Sequence, residues 1–168
     1  MPSKEKPYMR KLRRDEYRAL HLFAASQGLD LESIAHNPMA LEIPGSAYND
    51  VFDVPIGVAR LLGGLDGLYS TGYYIGYIDR GSFKPSLPLA HRLSRLCGHV
   101  IKCIKLSSDG EKFFLYGRRV LAANVIEWSP GLRIVVNMGG EALGWGVGVS
   151  GGMVEPLRDL GWYLRRGG

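Results

Sequence analysis

Two rhythms of hydrophobic and polar positions alternate along this chain. From Arg14 to Gln27 the residues Tyr17, Leu20, Leu22, Phe23 and Ala24 form an apolar stripe, which predicts a helix stopped by Gly28. Asp15 and Glu16 fall in its first turn, where carboxylates suit the helix dipole. Residues 39–44 and 50–54 read as short strands around the turn residues Gly45, Ser46 and Asn49. Pro55 predicts the start of a short helix through Leu62, closed by Gly63 and Gly64. Over residues 67–80, Tyr69, Thr71, Tyr73, Ile75 and Tyr77 alternate onto one face of a strand. A second helix is expected after Ser86, with Pro88 in its first turn and Leu89, Leu93, Leu96 and Cys97 at core spacing. It ends near Gly98, and residues 100–106 read as a strand followed by a Ser-Ser-Asp-Gly turn.

From Lys112 onward the chain becomes rich in Gly and Val. Residues 113–117, 132–138 and 141–149 read as strands, with Gly139-Gly140 marking a hairpin between the last two. Residues 120–128 are expected to hold a helical turn or two. The fold class expected is α+β: a mixed α/β domain over residues 1–107, then a small β-barrel-like domain over 108–168.

Composition narrows the classes. The chain has 168 residues, 46% of them apolar, enough for a real core. It holds no apolar run long enough to span a bilayer, and its basic start has no apolar stretch behind it, so neither a membrane anchor nor a secretory signal is expected. Cys97 and Cys103 are too few for a disulfide scaffold; they are expected as two buried thiols in a soluble, intracellular protein. The net charge of +5 is segregated: residues 1–18 carry seven bases against three acids, and residues 19–79 carry one against seven. Residues 80–110 carry six against one, and 111–168 seven against five. One face that attracts polyanions and another that repels them is the expected consequence.

The back half resembles a PUA domain, a compact RNA-binding barrel, and within that class the family of nuclear import protein seven. The residues that carry the likeness are Phe114-Leu115-Tyr116-Gly117 with Val120-Leu121, the strand Leu143-Gly144-Trp145-Gly146-Val147, and the ending Asp159-Leu160-Gly161-Trp162-Tyr163-Leu164-Arg165-Arg166. Met9-Arg10-Lys11-Leu12 with Asp15-Glu16, and Phe83-Lys84 before a Leu-rich helix, extend it forward. The resemblance implies a non-catalytic factor of large ribosomal subunit biogenesis and pre-rRNA processing. Such a factor binds single-stranded uridine-rich RNA through its PUA domain and contacts other ribosome-assembly proteins. It would be cytoplasmic in an archaeon and nuclear or nucleolar in a eukaryote. The chain departs from the family pattern in two places. The stretch from Ser150 to Asp159 is short, so one barrel strand is expected to be abbreviated, and Ala122 stands where a basic residue is usual.

Under that resemblance the candidate RNA-binding residues are Arg118, Arg119, Arg165 and Arg166, extended by Arg133 and Arg158. Guanidiniums can clamp phosphates bidentately; an Arg-rich terminus that only solubilises explains the same residues. Trp128, Trp145 and Trp162 can stack unpaired bases, although Trp145 alternates with glycines and reads first as barrel core. Tyr69, Tyr73 and Tyr77 read as a half-buried sheet face or a stacking platform. The basic arm contributes Lys4, Lys6, Arg10, Lys11, Arg13 and Arg14, as RNA attraction or as a soluble tail. Cys97, His99 and Cys103 with His91 have the wrong spacing for zinc knuckles, and Gly144, Gly146 and Gly148 are followed by no phosphate-binding helix. No cofactor, metal or catalytic set is expected. Two other readings stay open: a protein-binding assembly adaptor with weak RNA affinity, or an accessory subunit of an RNA-modification enzyme.

Overall fold

The computed structural model describes residues 5–62 and 71–159, and the chain divides into two compact units, residues 1–86 and 87–168. In the first unit, β1 (Tyr8–Lys11), β2 (Pro38–Glu42), β3 (Tyr48–Asp53), β4 (Tyr73–Asp79) and β5 (Ser82–Pro85) form an antiparallel sheet in that order. Helix α1 (Arg14–Ser26) and the short α2 (Leu31–Ile34) intervene between β1 and β2, and α3 (Ile56–Ala59) follows β3. The part of the expected basic arm from Tyr8 to Lys11 is therefore an edge strand, paired with Met39–Glu42.

Helix α1 follows its sequence pattern. Leu20, Phe23 and Ala24 are buried, and Phe23 packs on Phe83 of β5 with ring centroids 4.9 Å apart. Leu22 and Tyr17 instead face outward. Leu41, Phe52 and Val54 centre a core on the opposite side of the sheet, joined by Met9, Met39, Ile43, Ala59, Leu62 and Tyr74. The expected one-face tyrosine ladder is broken. A bulge sets Val51 against Gly76 but Phe52 against Tyr74, which inserts Ile75 as an extra residue in β4. Tyr73, opposite Asp53, and Tyr77, opposite Asp50, consequently lie on opposite faces, and Tyr77 packs its ring on Tyr48. Tyr69 lies outside the described residues, as do Gly63 and Gly64. Strand β5 was not expected; Arg80 and Gly81, at φ +49° and +75°, make the two-residue hairpin that creates it.

The second unit opens with α4 (Leu87–Leu93) and a 3-10 turn (Ser94–Leu96). It then forms β6 (Ile104–Leu106), α5 (Ser108–Leu115), a second 3-10 turn (Ala122–Asn124), β7 (Val125–Glu127), β8 (Gly131–Val136), β9 (Ala142–Val149) and β10 (Met153–Asp159). The sheet order is β10-β9-β8-β6-β7, with β6 and β8 parallel. The sheet curls into a half-barrel, and Ile104, Leu106, Phe114, Val120, Val135, Leu143 and Val154 form one buried cluster.

Four expectations are corrected here. Residues 113–117 are the end of α5, not a strand: Ser107 caps the helix by accepting the Gly110 N–H at 3.1 Å, and Asp109 and Glu111 occupy its first turn. The Ser-Ser-Asp-Gly segment is not a turn between strands but the start of α5, within the second compact unit. Strand β10 is not abbreviated, running seven residues with one bulge at Leu157. Cys97 and Cys103 are not two separate thiols but a disulfide, their Cα atoms 5.5 Å apart across a turn reversed at Gly98. The same turn leaves only Ile104–Leu106 as strand in the segment 100–106.

Closing so short a loop contributes roughly 2 kcal/mol in the chain-entropy account. Urea unfolding with and without reductant is expected to differ by about that amount, and coincident curves would show that the bridge adds nothing.

Candidate nucleic-acid interface

Arg118 and Arg119 follow α5 because Gly117, at φ +73°, reverses the chain and the Arg118 N–H returns to the Phe113 carbonyl at 2.9 Å. Val120 then exchanges two 2.9 Å hydrogen bonds with Val154, which lays the arginine pair along the outer edge of β10. Arg119 donates its Nε to the Glu155 carboxylate at 2.5 Å. Arg118 is exposed and has no side-chain partner among the described residues. Tyr116 on one side is 70% exposed and Leu121 on the other 58%. One unneutralised guanidinium, a second shared with a carboxylate and an exposed phenol thus occupy one short stretch.

Arg133 stands elsewhere. It pairs with Gly146 across β8 and β9, whereas Glu155 faces Val147, so Arg133 and the Arg119–Glu155 pair lie on opposite faces of the sheet. The Arg133 Nε donates to the Pro130 carbonyl at 3.1 Å. Of Arg158 only the backbone is described, opposite Trp145; Arg165, Arg166 and Trp162 lie outside the described residues. Trp145 is fully buried and belongs to the core. Trp128 is 41% exposed, with its indole N–H anchored to the Met153 carbonyl at 3.1 Å. No group of three or more potential metal ligands occurs among the described residues.

Two arginines of the basic arm are spent on the fold. Arg10 grips Glu16 bidentately at 2.7 and 2.8 Å and donates its Nε to Glu42 at 2.5 Å. Arg13 adds a 3.0 Å bond to Glu42. Glu16 also accepts from the Arg13 N–H at 2.7 Å and from Asn49 at 3.1 Å. The Arg10 guanidinium, with those bonds, holds the Glu16 carboxyl down at about 2 despite its burial, and the Glu42 carboxyl is lowered by the same arginine. Arg10 and Arg13 are therefore anchors of α1 and β2; Lys11 and Arg14 remain exposed, and Lys4 lies outside the described residues.

Residues 102–168 match the UPF0113 PUA domain. A UPF0113 protein of Aeropyrum pernix is 44% identical over 156 residues, covering 91% of this chain and 89% of that one. The chain belongs to the UPF0113 family. Its fold is shared with a conserved PUA domain protein from Thermoplasma acidophilum, at a TM-score of 0.57 and 11% identity over 96% of this chain and 98% of that one. A hypothetical protein of the archaeon Pyrococcus horikoshii matches at the same TM-score and identity, over 86% of this chain and 83% of its own. Residues 102–168 of this UPF0113 chain thus correspond to a PUA domain, a module that generally binds RNA, and Arg118, Arg119 and Trp128 all lie within it. No helix among the described residues is long and apolar enough to cross a membrane.

Proposed function

We propose that this protein is a non-catalytic RNA-binding factor of large ribosomal subunit biogenesis. Its PUA unit captures single-stranded, uridine-rich pre-rRNA in an archaeal cytoplasm, and its first unit meets other assembly proteins. The observation that carries the reading is the PUA domain with Arg118 exposed and unneutralised on the edge of β10. The likeness of Phe114–Gly117, Leu143–Val147 and the arginine-rich ending to nuclear import protein seven supports the ribosomal assignment. The excess of acids over residues 19–79 supports a protein-facing role for the first unit. Phosphate contacts from Arg118, Arg119, Arg165 and Arg166 supply affinity, and unpaired bases supply the reading of sequence. Arg133 stands apart from this row, since it lies on the other sheet face from Arg119.

Fluorescence anisotropy with uridine-rich and cytidine-rich oligonucleotides across a salt series tests it. Wild type is expected to prefer uridine, with log affinity falling linearly in log salt. Arg118→Ala should lower the slope by about 0.7, the value of one phosphate contact on a single strand. Arg119→Ala should do less, because Glu155 already holds that charge, and Glu155→Gln should tighten binding by releasing it. A wild type that binds no RNA, or binding that ignores both arginines and salt, would move the function to protein contacts.

A further inference from the structure

The loop from Gly98 to Lys102 forms one wall of a cavity of about 330 Å³, faced by Glu127, Trp128 and Ser129. The disulfide between Cys97 and Cys103 pins both ends of the loop. Inside it, the Gly98 N–H donates to the Ile101 carbonyl at 3.0 Å, and the His99 N–H ties the loop to the Leu96 carbonyl just before it at 3.2 Å. This wall is fixed in place without a ligand, which reduces the ordering cost of binding one. The opposite wall is fixed too. Trp128 is held through its indole N–H to Met153, and the Ser129 backbone packs so closely on Gly148 that a Cβ there would lie 2.0 Å from the Ser129 carbonyl oxygen.

The chemistry of the lining is specific. The Ser129 hydroxyl is buried, yet it has no hydrogen-bond partner among the described residues. A buried hydroxyl without a partner is costly and marks a place where something else completes the bond. His99 and Lys102 are exposed at the rim, while Glu127, the acid in the lining, is paired with Lys105 at 3.1 Å. The cavity therefore offers an aromatic ring, a lysine ammonium and an imidazole, with the unsatisfied Ser129 hydroxyl buried just behind its lining, at the small end of the volume range of ligand sites.

We propose that this cavity receives one unpaired nucleotide of the bound RNA strand. The base stacks on Trp128, Ser129 hydrogen-bonds it, and Lys102 with His99 holds the adjoining phosphate. The inference rests on the RNA-binding reading above but concerns residues apart from Arg118 and Arg119. It makes the PUA unit a reader of one splayed base in addition to a phosphate-binding edge.

The test uses the full chain with fluorescein-labelled single-stranded RNA heptamers, with uridine monophosphate and adenosine monophosphate as free-nucleotide controls. Trp128→Ala is expected to weaken heptamer binding about tenfold, within what one stacked base supplies, and Trp128→Phe should restore most of it. Ser129→Ala should weaken binding several-fold while leaving urea stability equal or higher, because it deletes an unsatisfied buried group. That opposition separates a ligand role from a structural one if Trp128→Ala fails to fold. Photocrosslinking with 5-iodouridine heptamers should label Trp128 or the 98–102 loop. RNA that depends on Arg118 but ignores Trp128 and Ser129, with crosslinks elsewhere, overturns this site and leaves the RNA reading standing. Absence of all RNA binding overturns both. Monophosphates binding as tightly as the heptamers would make this a free-nucleotide site and refute the strand reading.

Discussion

Trp145→Ala is expected to cost the second unit about 4 kcal/mol, the scale measured when large aromatics are removed from cores. Domains of this size typically hold only about 5 to 15 kcal/mol in total, so the variant should be marginal at room temperature. Trp145 is the largest fully buried side chain among the described residues, and it sits on β9 directly opposite Ile134. Its strand neighbours Gly144 and Gly146 have no side chains to slide into the space it would vacate. Gly146 faces the other way, where a Cβ would lie 2.8 Å from Val135 and 3.2 Å from Phe114, so the two faces of β9 are packed independently. The hole left on the Trp145 face therefore cannot be filled by rotation of the strand. Urea denaturation followed by far-ultraviolet circular dichroism gives the number, with Leu22→Ala, an exposed position on α1, as the near-neutral control. A Trp145→Ala midpoint close to wild type would mean that the residue is not the keystone of this core. It would also reopen its use as a base-stacking ring.

The sequence was most legible where one physical signal acted alone. Alternation placed β2, β3, β8 and β9, and the stripe of Leu20, Phe23 and Ala24 placed α1, because burial of one face is enough to set each of them. It failed where two signals competed. Phe113 and Phe114 look like strand, yet the Ser107 cap and the first-turn acids commit that stretch to helix. Gly110 then lets the helix approach the Asn124 carbonyl, where a Cβ would come within 2.4 Å. The bulge at Ile75 could not be read, since alternation is blind to a single inserted residue, and it alone separates Tyr73 from Tyr77. The PUA domain and its exposed Arg118 were legible from motif and residue type. The acids that neutralise arginines were not: Glu155 meets Arg119 from 36 residues away and Glu42 meets Arg10 from 32. Trp128 could be named as a stacking candidate by its type, but the unsatisfied Ser129 hydroxyl beside it depends on the packing of β9 and the loop after β7.

Glu16→Gln carries the second large effect, a loss of about 3 kcal/mol at neutral pH, as expected when one partner of a buried ion pair is removed. The side chains of Arg10 and Glu16 are only 15% and 5% exposed, and Arg10 ties β1 to α1 through Glu16 and to β2 through Glu42. Deleting the charge on Glu16 leaves the guanidinium with one carboxylate in place of two and weakens the acceptor for the Arg13 N–H that starts the helix. The pH dependence follows from the direction of the shift. Glu16 titrates near 2 in the folded protein, below its usual value near 4.5, so the unfolded chain binds the proton first on acidification. Its stabilisation is therefore complete above about pH 5 and is lost as pH falls toward 2, with Glu42 adding a loss of the same sign. Wild type and Glu16→Gln should differ most at pH 7 and converge on acidification, measured as urea midpoints at pH 7, 5, 4 and 3. A gap of constant size across that range would mean that the carboxylate contributes shape rather than charge. The arm's arginines would then be free to be reconsidered as an RNA-facing group.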